Sequence, residues 1–349
     1  MTTDRTARFL GAIPLAVVGA GAAAVAVWVR RRRRRMDFRG KTVLISGASR
    51  GLGLELARGF AKEGARIVVL ARDPEELAAV SSEFARRREI VSVLECDVRR
   101  QEDVQKSVAA VLNQWGSVDV LINNAGIIQV GPVEHMKTKD FADAMAVHFW
   151  GPLYLMQEVI PHMKSRRQGR IVNISSIGGK VAVPHLLPYV ASKFALVGLS
   201  EGFRAELAKD RIYVTTVCPG LMRTGAHLNA LFKGKHKREF AIFSIANAFP
   251  LFSTSSERAA RQIINACRYG RAELIITPQA RLLHLLNSLS PAFTAAGFSL
   301  VNRMLPGARG AGGDLLKRGW ESQSVLSPSV LTRPSDRAAG RNNERPRPG

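Results

Sequence analysis

The chain alternates short apolar runs with stretches whose apolar residues return every three or four positions. Seven runs read as strands: Thr42-Val43-Leu44-Ile45, Arg66-Ile67-Val68-Val69-Leu70, Val91-Ser92-Val93-Leu94-Glu95, Val118-Asp119-Val120-Leu121-Ile122, Arg170-Ile171-Val172-Asn173-Ile174, Ile212-Tyr213-Val214-Thr215-Thr216-Val217 and Glu273-Leu274-Ile275-Ile276-Thr277. An amphipathic helix from Leu52 to Lys62 follows the first, and helical stretches separate the others. Strands that are apolar throughout, rather than alternating, belong to a sheet covered on both faces, and strand–helix alternation makes that sheet parallel. The pattern predicts an α/β fold: a doubly wound, mainly parallel seven-stranded sheet over residues 36–277.

Two further apolar stretches flank this unit. Phe9 to Val29 carries no charge and is followed at once by Arg30 to Arg35. At about 1.5 Å per residue it is long enough for a hydrocarbon core of about 30 Å. A cleavable leader places its positive charge before the apolar run, whereas here the heavier charge lies after it. The segment is therefore read as an N-terminal transmembrane helix, a single-pass anchor with the folded domain on the cytoplasmic side. A re-entrant or surface-lying segment held by anionic lipid is the alternative. The second stretch, Leu282 to Leu305 divided by Pro291, lies on the membrane as a helix pair, packs on the domain, or meets a partner subunit. Beyond Pro306 the chain turns to Gly, Ser, Arg and Pro, the composition of a disordered tail. The organisation predicted is thus 1–35 anchor and arginine flank, 36–277 folded domain, 278–305 apolar extension and 306–349 basic tail.

A net charge of +23, from 51 basic and 28 acidic residues, changes this picture little, because arginines beside the span and in the tail supply much of it. It is no sign of a nucleic-acid-reading fold, and no nucleic-acid partner is expected. Cys96, Cys218 and Cys267 are scattered and the seven histidines form no ligand spacing, so no metal site is expected.

Candidate chemistry begins where the first strand ends. Ser46-Gly47-Ala48-Ser49-Arg50-Gly51-Leu52-Gly53 lies between strand and helix, the context in which glycines let a backbone approach a pyrophosphate at a helix N-terminus. Far downstream stand Ser176, Tyr189 and Lys193. A phenol titrating near 10 is a poor acid–base group at neutrality and needs a neighbouring cation. Lys193, one helical turn on, lies on the same face.

With these motifs, together with Cys96-Asp97-Val98, Asn123-Asn124-Ala125-Gly126, Tyr189-Val190-Ala191-Ser192-Lys193 and Pro219-Gly220 with Thr224, all in order, residues from about Gly40 to Thr277 resemble the single-domain branch of the short-chain dehydrogenase/reductase superfamily. Ser46 stands where that family usually has Thr. The resemblance implies a Rossmann-like domain in which hydride passes between a nicotinamide and a carbon bearing oxygen. It makes Tyr189 the proton donor or acceptor, Lys193 its tuner and the holder of the nicotinamide ribose, and Ser176, rather than neighbouring Ser175, the group that positions the substrate oxygen. It assigns cofactor contacts to Gly47, Ser49, Gly51, Leu52, Gly53, Val98, Ala125, Gly126, Pro219, Gly220 and Thr224. Asp97 should bond the adenine, and Asn124 should brace the sheet beside the cofactor. The chain departs from the family at His148, which stands where an asparagine of a proton relay is usual. The imidazole either carries that relay in altered form, fills space, or impairs the site.

Charge argues for the form of the dinucleotide. At the end of the second strand Ala71 replaces the carboxylate that would accept from a ribose 2′-hydroxyl, and Arg72 follows it. With Arg50 in the glycine turn, this predicts NADP(H) in preference to NAD(H); Asp73 is the one nearby carboxylate that argues the other way. Between Pro219 and Ser256, where the resemblance implies a variable substrate lid, Leu221, Met222, Leu228, Leu231, Phe232, Phe240, Ile242, Phe243, Phe249 and Phe252 flank the basic cluster Lys233 to Arg238. These side chains either face a hydrophobic, lipid-like substrate delivered from the bilayer or pack the lid on the sheet. The sequence predicts a membrane-anchored carbonyl reductase or alcohol dehydrogenase, with membrane lipid as partner and a homodimer or homotetramer as assembly. A cofactor-binding sensor or scaffold without turnover is the alternative, and an isomerase or dehydratase on the same fold stays open.

Overall fold

The computed structural model describes residues 34–308, 313–324 and 326–345. Seven parallel strands form the central sheet: β1 (Thr42–Ser46), β2 (Arg66–Ala71), β3 (Val91–Glu95), β4 (Val120–Asn123), β5 (Gly169–Ile174), β6 (Ile212–Pro219) and β7 (Glu273–Ile276). Their order across the sheet is β7-β6-β5-β4-β1-β2-β3. The expected fold class is therefore observed in the described domain. The order reverses between β1 and β4, and a crevice opens there at the carboxyl ends of the strands, where ligands bind in open α/β sheets.

Helices α1 (Gly51–Lys62), α2 (Pro74–Arg86), α3 (Gln101–Trp115), α4 (Thr138–Met145), α5 (Gly151–Ser165), α6 (Leu187–Leu207), α7 (His236–Ala248) and α8 (Ser256–Arg268) cover and flank this sheet. Leu54, Leu56 and Phe60 of α1 and Ile263 of α8 fill one face with Val43, Ile45 and Ile67. On the other face Val104 and Val108 of α3 and Leu155 and Val159 of α5 pack on Leu44, Leu121 and Val214. Local chemistry fixes the helix starts. Asp73 caps α2, accepting from the amides of Glu75 (2.9 Å) and Glu76 (3.1 Å), with Pro74 at the first helical position. The carboxylate that had argued for NAD(H) is thus engaged as a helix cap.

The span Phe9–Val29 lies outside the described residues; among those described, no helix is long and apolar enough to cross a membrane. Arg34 sits at the amino ends of β5 and β6: its guanidinium stands 4.6 Å over the Tyr213 ring, and its carbonyl accepts from Arg170 at 2.5 Å. The apolar extension forms two helices, α9 (Pro278–Leu289) and α10 (Pro291–Met304), capped by Thr277 and Ser290. Its large apolar side chains, among them Leu282, Leu285, Leu289, Phe293, Leu300 and Met304, are exposed.

The expectation of a disordered tail needs correction. Over its described length the segment is folded: Lys317–Arg318 pairs antiparallel with Leu231–Phe232, and helix α11 (Arg333–Arg341) buries Ser335, Ala338 and Ala339. Composition gave the segment no core of its own; it orders by docking on the domain. Fully buried Leu121 lies in the central strand β4, and Leu121→Ala is expected to lower unfolding free energy by about 2–5 kcal/mol in chemical denaturation.

Candidate active site

The turn after β1 is shaped by what a side chain would strike. Gly47 and Gly51 have φ of +63° and +61°, a region open to glycine. A Cβ on Gly47 would stand 2.7 Å from Ala125 Cα, and one on Gly53 would stand 2.6 Å from Asn124 Nδ2 and 2.7 Å from Ala48 Cα. Asn124 donates to the carbonyls of Ser46 (3.1 Å) and Gly47 (2.8 Å), bracing the end of β4 to the turn. Ser46 serves in place of the usual threonine: its hydroxyl accepts from the amides of Asn124 and Ala125 at 3.1 and 3.2 Å. The first amides of α1 have no partner within the helix, and that of Gly51 donates to the Asn342 carbonyl at 2.9 Å.

A cleft of about 1020 Å³ runs from here to Tyr189 and Lys193. Gly47, Ser49, Arg50, Gly51, Leu52, Arg72, Asp97, Val98, Asn124, Ala125, Gly126, His148 and Thr224 all line it. Gly53 packs behind it, and Pro219, which ends β6, and Gly220 after it lie outside its lining. The glycine turn, the braced backbone and the elongated cleft fit a dinucleotide.

Helix α6 carries Tyr189 and Lys193. Lys193 is 4% exposed, lies 5.6 Å from the Tyr189 ring centroid and donates to the Ile174 carbonyl at 2.8 Å. Burial pushes its ammonium down to about 7. Burial also raises the Tyr189 phenol, and a hydrogen bond with Ser176 works the other way. The expected lowering of the phenol by Lys193 is therefore not the dominant effect, because enclosure weakens the cation as well as the phenolate. The two serines differ in their contacts, and of the two Ser175 lines the cleft. Ser175 Oγ is buried and donates to the Lys193 carbonyl at 3.0 Å, a packing role. Ser176 Oγ accepts from the Gly178 amide at 3.0 Å and bonds Tyr189.

His148 is fully buried in a π-helical turn, Ala146–Trp150. Its Nε2 accepts from the Ile127 amide at 3.1 Å. Its Nδ1 lies 2.7 Å from Ser192 Oγ, which itself donates to the Tyr189 carbonyl at 2.8 Å. Nδ1 must then be the donor, so both ring nitrogens are occupied. Burial, with the nearby charge of Lys193, holds the imidazole well below its usual range. In this geometry His148 is a neutral ring tying the loop after β4 to α6. It leaves Ser176, Tyr189 and Lys193 in place.

The cofactor cations also separate. Arg72 is exposed on the cleft. Arg50, expected to bind a 2′-phosphate, is held by carboxylates: 2.7 Å to Glu76 and 3.6 Å to Glu344. Glu76 also accepts from Ser49 Oγ at 2.5 Å. Asp97 is paired with Arg99 Nε at 2.9 Å. Sequence reasoning missed Glu76, Arg318 and Glu344, all of which line the cleft; neither spacing nor composition marks them, since each arrives by tertiary packing. Among the described residues no cluster could hold a metal ion, and the three cysteines are buried and free.

Residues 41–231 match the family model described as short chain dehydrogenase. A dehydrogenase/reductase SDR family protein 7-like of Anopheles gambiae is 34% identical over 259 residues, covering 72% of this chain and 80% of that one. Among solved structures, a short-chain dehydrogenase from Streptomyces avermitilis superposes with a TM-score of 0.65 at 29% identity, over 77% of this chain and 99% of that one. A gluconate 5-dehydrogenase from Burkholderia cenocepacia, solved with NADP and tartrate, gives 0.61 at 28% identity, over 71% and 97%.

Because His148 stays neutral, His148→Asn is expected to change the amplitude of the pH–rate profile between pH 5 and 8 but not its shape. Loss of an ionisation from the profile in the variant would contradict this assignment.

Proposed function

The chain belongs to the short-chain dehydrogenase family and is an NAD(P)-dependent oxidoreductase acting on CH–OH or C=O groups, and from that premise we propose an NADPH-preferring reductase of a hydrophobic carbonyl compound. The observation that carries the reading is the placing of Tyr189 and Lys193 at the far end of the glycine-turn cleft, with Ser176 hydrogen-bonded to Tyr189. A bound nicotinamide supplies or accepts the hydride. This chain's residues do the rest. Ser176 holds the carbonyl oxygen beside Tyr189, and the Tyr189 hydroxyl gives its proton to that oxygen. Burial keeps the phenol protonated at neutral pH, the state a reductase needs. Lys193 in its charged form stabilises the phenolate left behind.

Arg72 supports the preference for NADPH, since Ala71 leaves no carboxylate at the end of β2 to repel a 2′-phosphate. Arg50, shared between two carboxylates, contributes less. The gluconate enzyme solved with NADP is in keeping with this choice; its polar tartrate belongs to that protein. Here Ile127, Ile128 and Met222 wall the inner cleft. A second cavity of about 480 Å³, lined by Val133, Val181, Leu187, Phe298 and Leu305, opens between α10 and the loop before α6. With the exposed apolar face of α9 and α10, these walls support a lipid-, steroid- or retinoid-like substrate entering from a bilayer. We place the domain on the cytoplasmic side of a membrane, tethered by Phe9–Val29. We expect a homodimer or homotetramer. No observation favours a sensor without turnover, since His148, its one support, leaves the catalytic side chains in place.

Three measurements test the reading. Tyr189→Phe should lower kcat for NADPH-dependent reduction of apolar ketones and aldehydes by about 100- to 10,000-fold in detergent-solubilised protein; a retained rate would exclude the phenol as proton donor. Because the free enzyme loses the Lys193 charge as pH rises through about 7, kcat/KM for NADPH should fall across that interval; a flat profile would contradict it. Arg72→Ala should cut the NADPH over NADH preference at least about tenfold, the worth of one charge-assisted contact, whereas an unchanged ratio would remove Arg72 from the phosphate site.

A further inference from the structure

The chain leaves α11 as a strap across the mouth of the glycine turn. The Asn342 carbonyl accepts from the Gly51 amide at 2.9 Å, and Asn343 Nδ2 donates to the Ser49 carbonyl at 3.3 Å. Glu344 is 4% exposed, and one of its carboxylate oxygens lies 2.5 Å from where a Cβ on Gly51 would stand. The other accepts from Asn229 Nδ2 at 2.6 Å and lies 3.6 Å from Arg50 Nε. The strap also holds the opposite bank of the cleft. Asn342 Nδ2 donates to the Thr224 carbonyl at 3.0 Å and to Ser256 Oγ at 3.1 Å. Behind it, α11 is fastened by Asp336, 3.4 Å from His227.

The turn after β1 and the loop after β6 are thus tied together by the last described residues. Glycine at position 51 is what lets the carboxylate come so close. Burial pushes Glu344 up to about 7, a penalty that a tail without a role would relieve by turning the side chain to water. Instead Glu344 lines the cleft.

Resting on the dinucleotide reading above, we infer that Asn342–Glu344 forms a wall of the cofactor site, and that Glu344 is a positioning residue that sets the glycine turn for the dinucleotide. The strap does not fill the cleft, which stays open at about 1020 Å³ with the strap docked; it fixes the separation of the two banks. The consequence is that cofactor affinity depends on residues far along the chain from the motif that cradles the phosphates.

The test titrates cofactor-free, full-length protein with NADPH, following nucleotide fluorescence, beside Asn342→Ala, Glu344→Ala, Glu344→Gln and a chain ended after Leu331. Kd should rise about tenfold or more in the alanine variants and the shortened chain, a loss of about 1.4 kcal/mol. Glu344→Gln, which keeps an acceptor for Asn229, should recover part of it. The loss should fall on KM for NADPH rather than on kcat. Trypsin should leave Arg341 uncut in the cofactor-free parent. Unchanged Kd in the variants, tighter binding by the shortened chain, or rapid cleavage at Arg341 would each overturn the inference, tighter binding marking the strap as a competitor for the cradle. Should the shortened chain fail to fold, the point variants decide. A parent that binds neither NADPH nor NADH sinks the dinucleotide reading itself, which separates the two failures.

Discussion

An ammonium group enclosed by protein is the constraint on which the site depends. Lys193 donates to the Ile174 carbonyl, and burial draws it down to about 7. The sheet makes that enclosure possible. β5 delivers Ile174 and Ser176 to the carboxyl edge, β4 delivers the loop that His148 holds, and α6 lays Tyr189 and Lys193 along the gap between them. A lysine in water would be charged at every physiological pH and would contribute little selectivity. This one can change state within the working range, and an anion in the cleft would favour its charged form.

The same enclosure decides between the roles open to His148. An imidazole with both nitrogens engaged and no water on its surface is a spacer with directional bonds. Its bond to Ser192 is relayed to the Tyr189 carbonyl, so the ring holds the helix that carries the phenol. The ring stands edge-on to Tyr189, centroids 5.5 Å apart. An imidazole standing where the family has an amide adds no titration near neutral pH, because desolvation keeps the ring neutral.

The sheet was legible because runs such as Ile67–Leu70 and Val120–Ile122 are apolar on both faces, and only a covered parallel strand accounts for that. The glycine turn and the Tyr189/Lys193 pair were legible because their chemistry demands fixed spacing. What escaped was contact between distant elements. Arg50 looked like a free phosphate ligand because nothing in its neighbourhood reveals that Glu76 and Glu344 will reach it. Asp73 looked like a possible ribose acceptor, yet its bonds to the Glu75 and Glu76 amides make it a helix cap. The segment after Pro306 reads as unstructured, since its small and polar residues cannot form a core; Ala338 and Ala339 bury against the domain instead.

The central claim is that a phenol and a buried ammonium stand at the end of a dinucleotide cleft to protonate a carbonyl oxygen while its carbon takes hydride. The most direct measurement follows deuterium from C4 of labelled NADPH into an apolar ketone by mass spectrometry. The account predicts one deuterium on the new carbinol carbon of the product, on a single face. Product formed without label, or label scrambled to solvent, would contradict it.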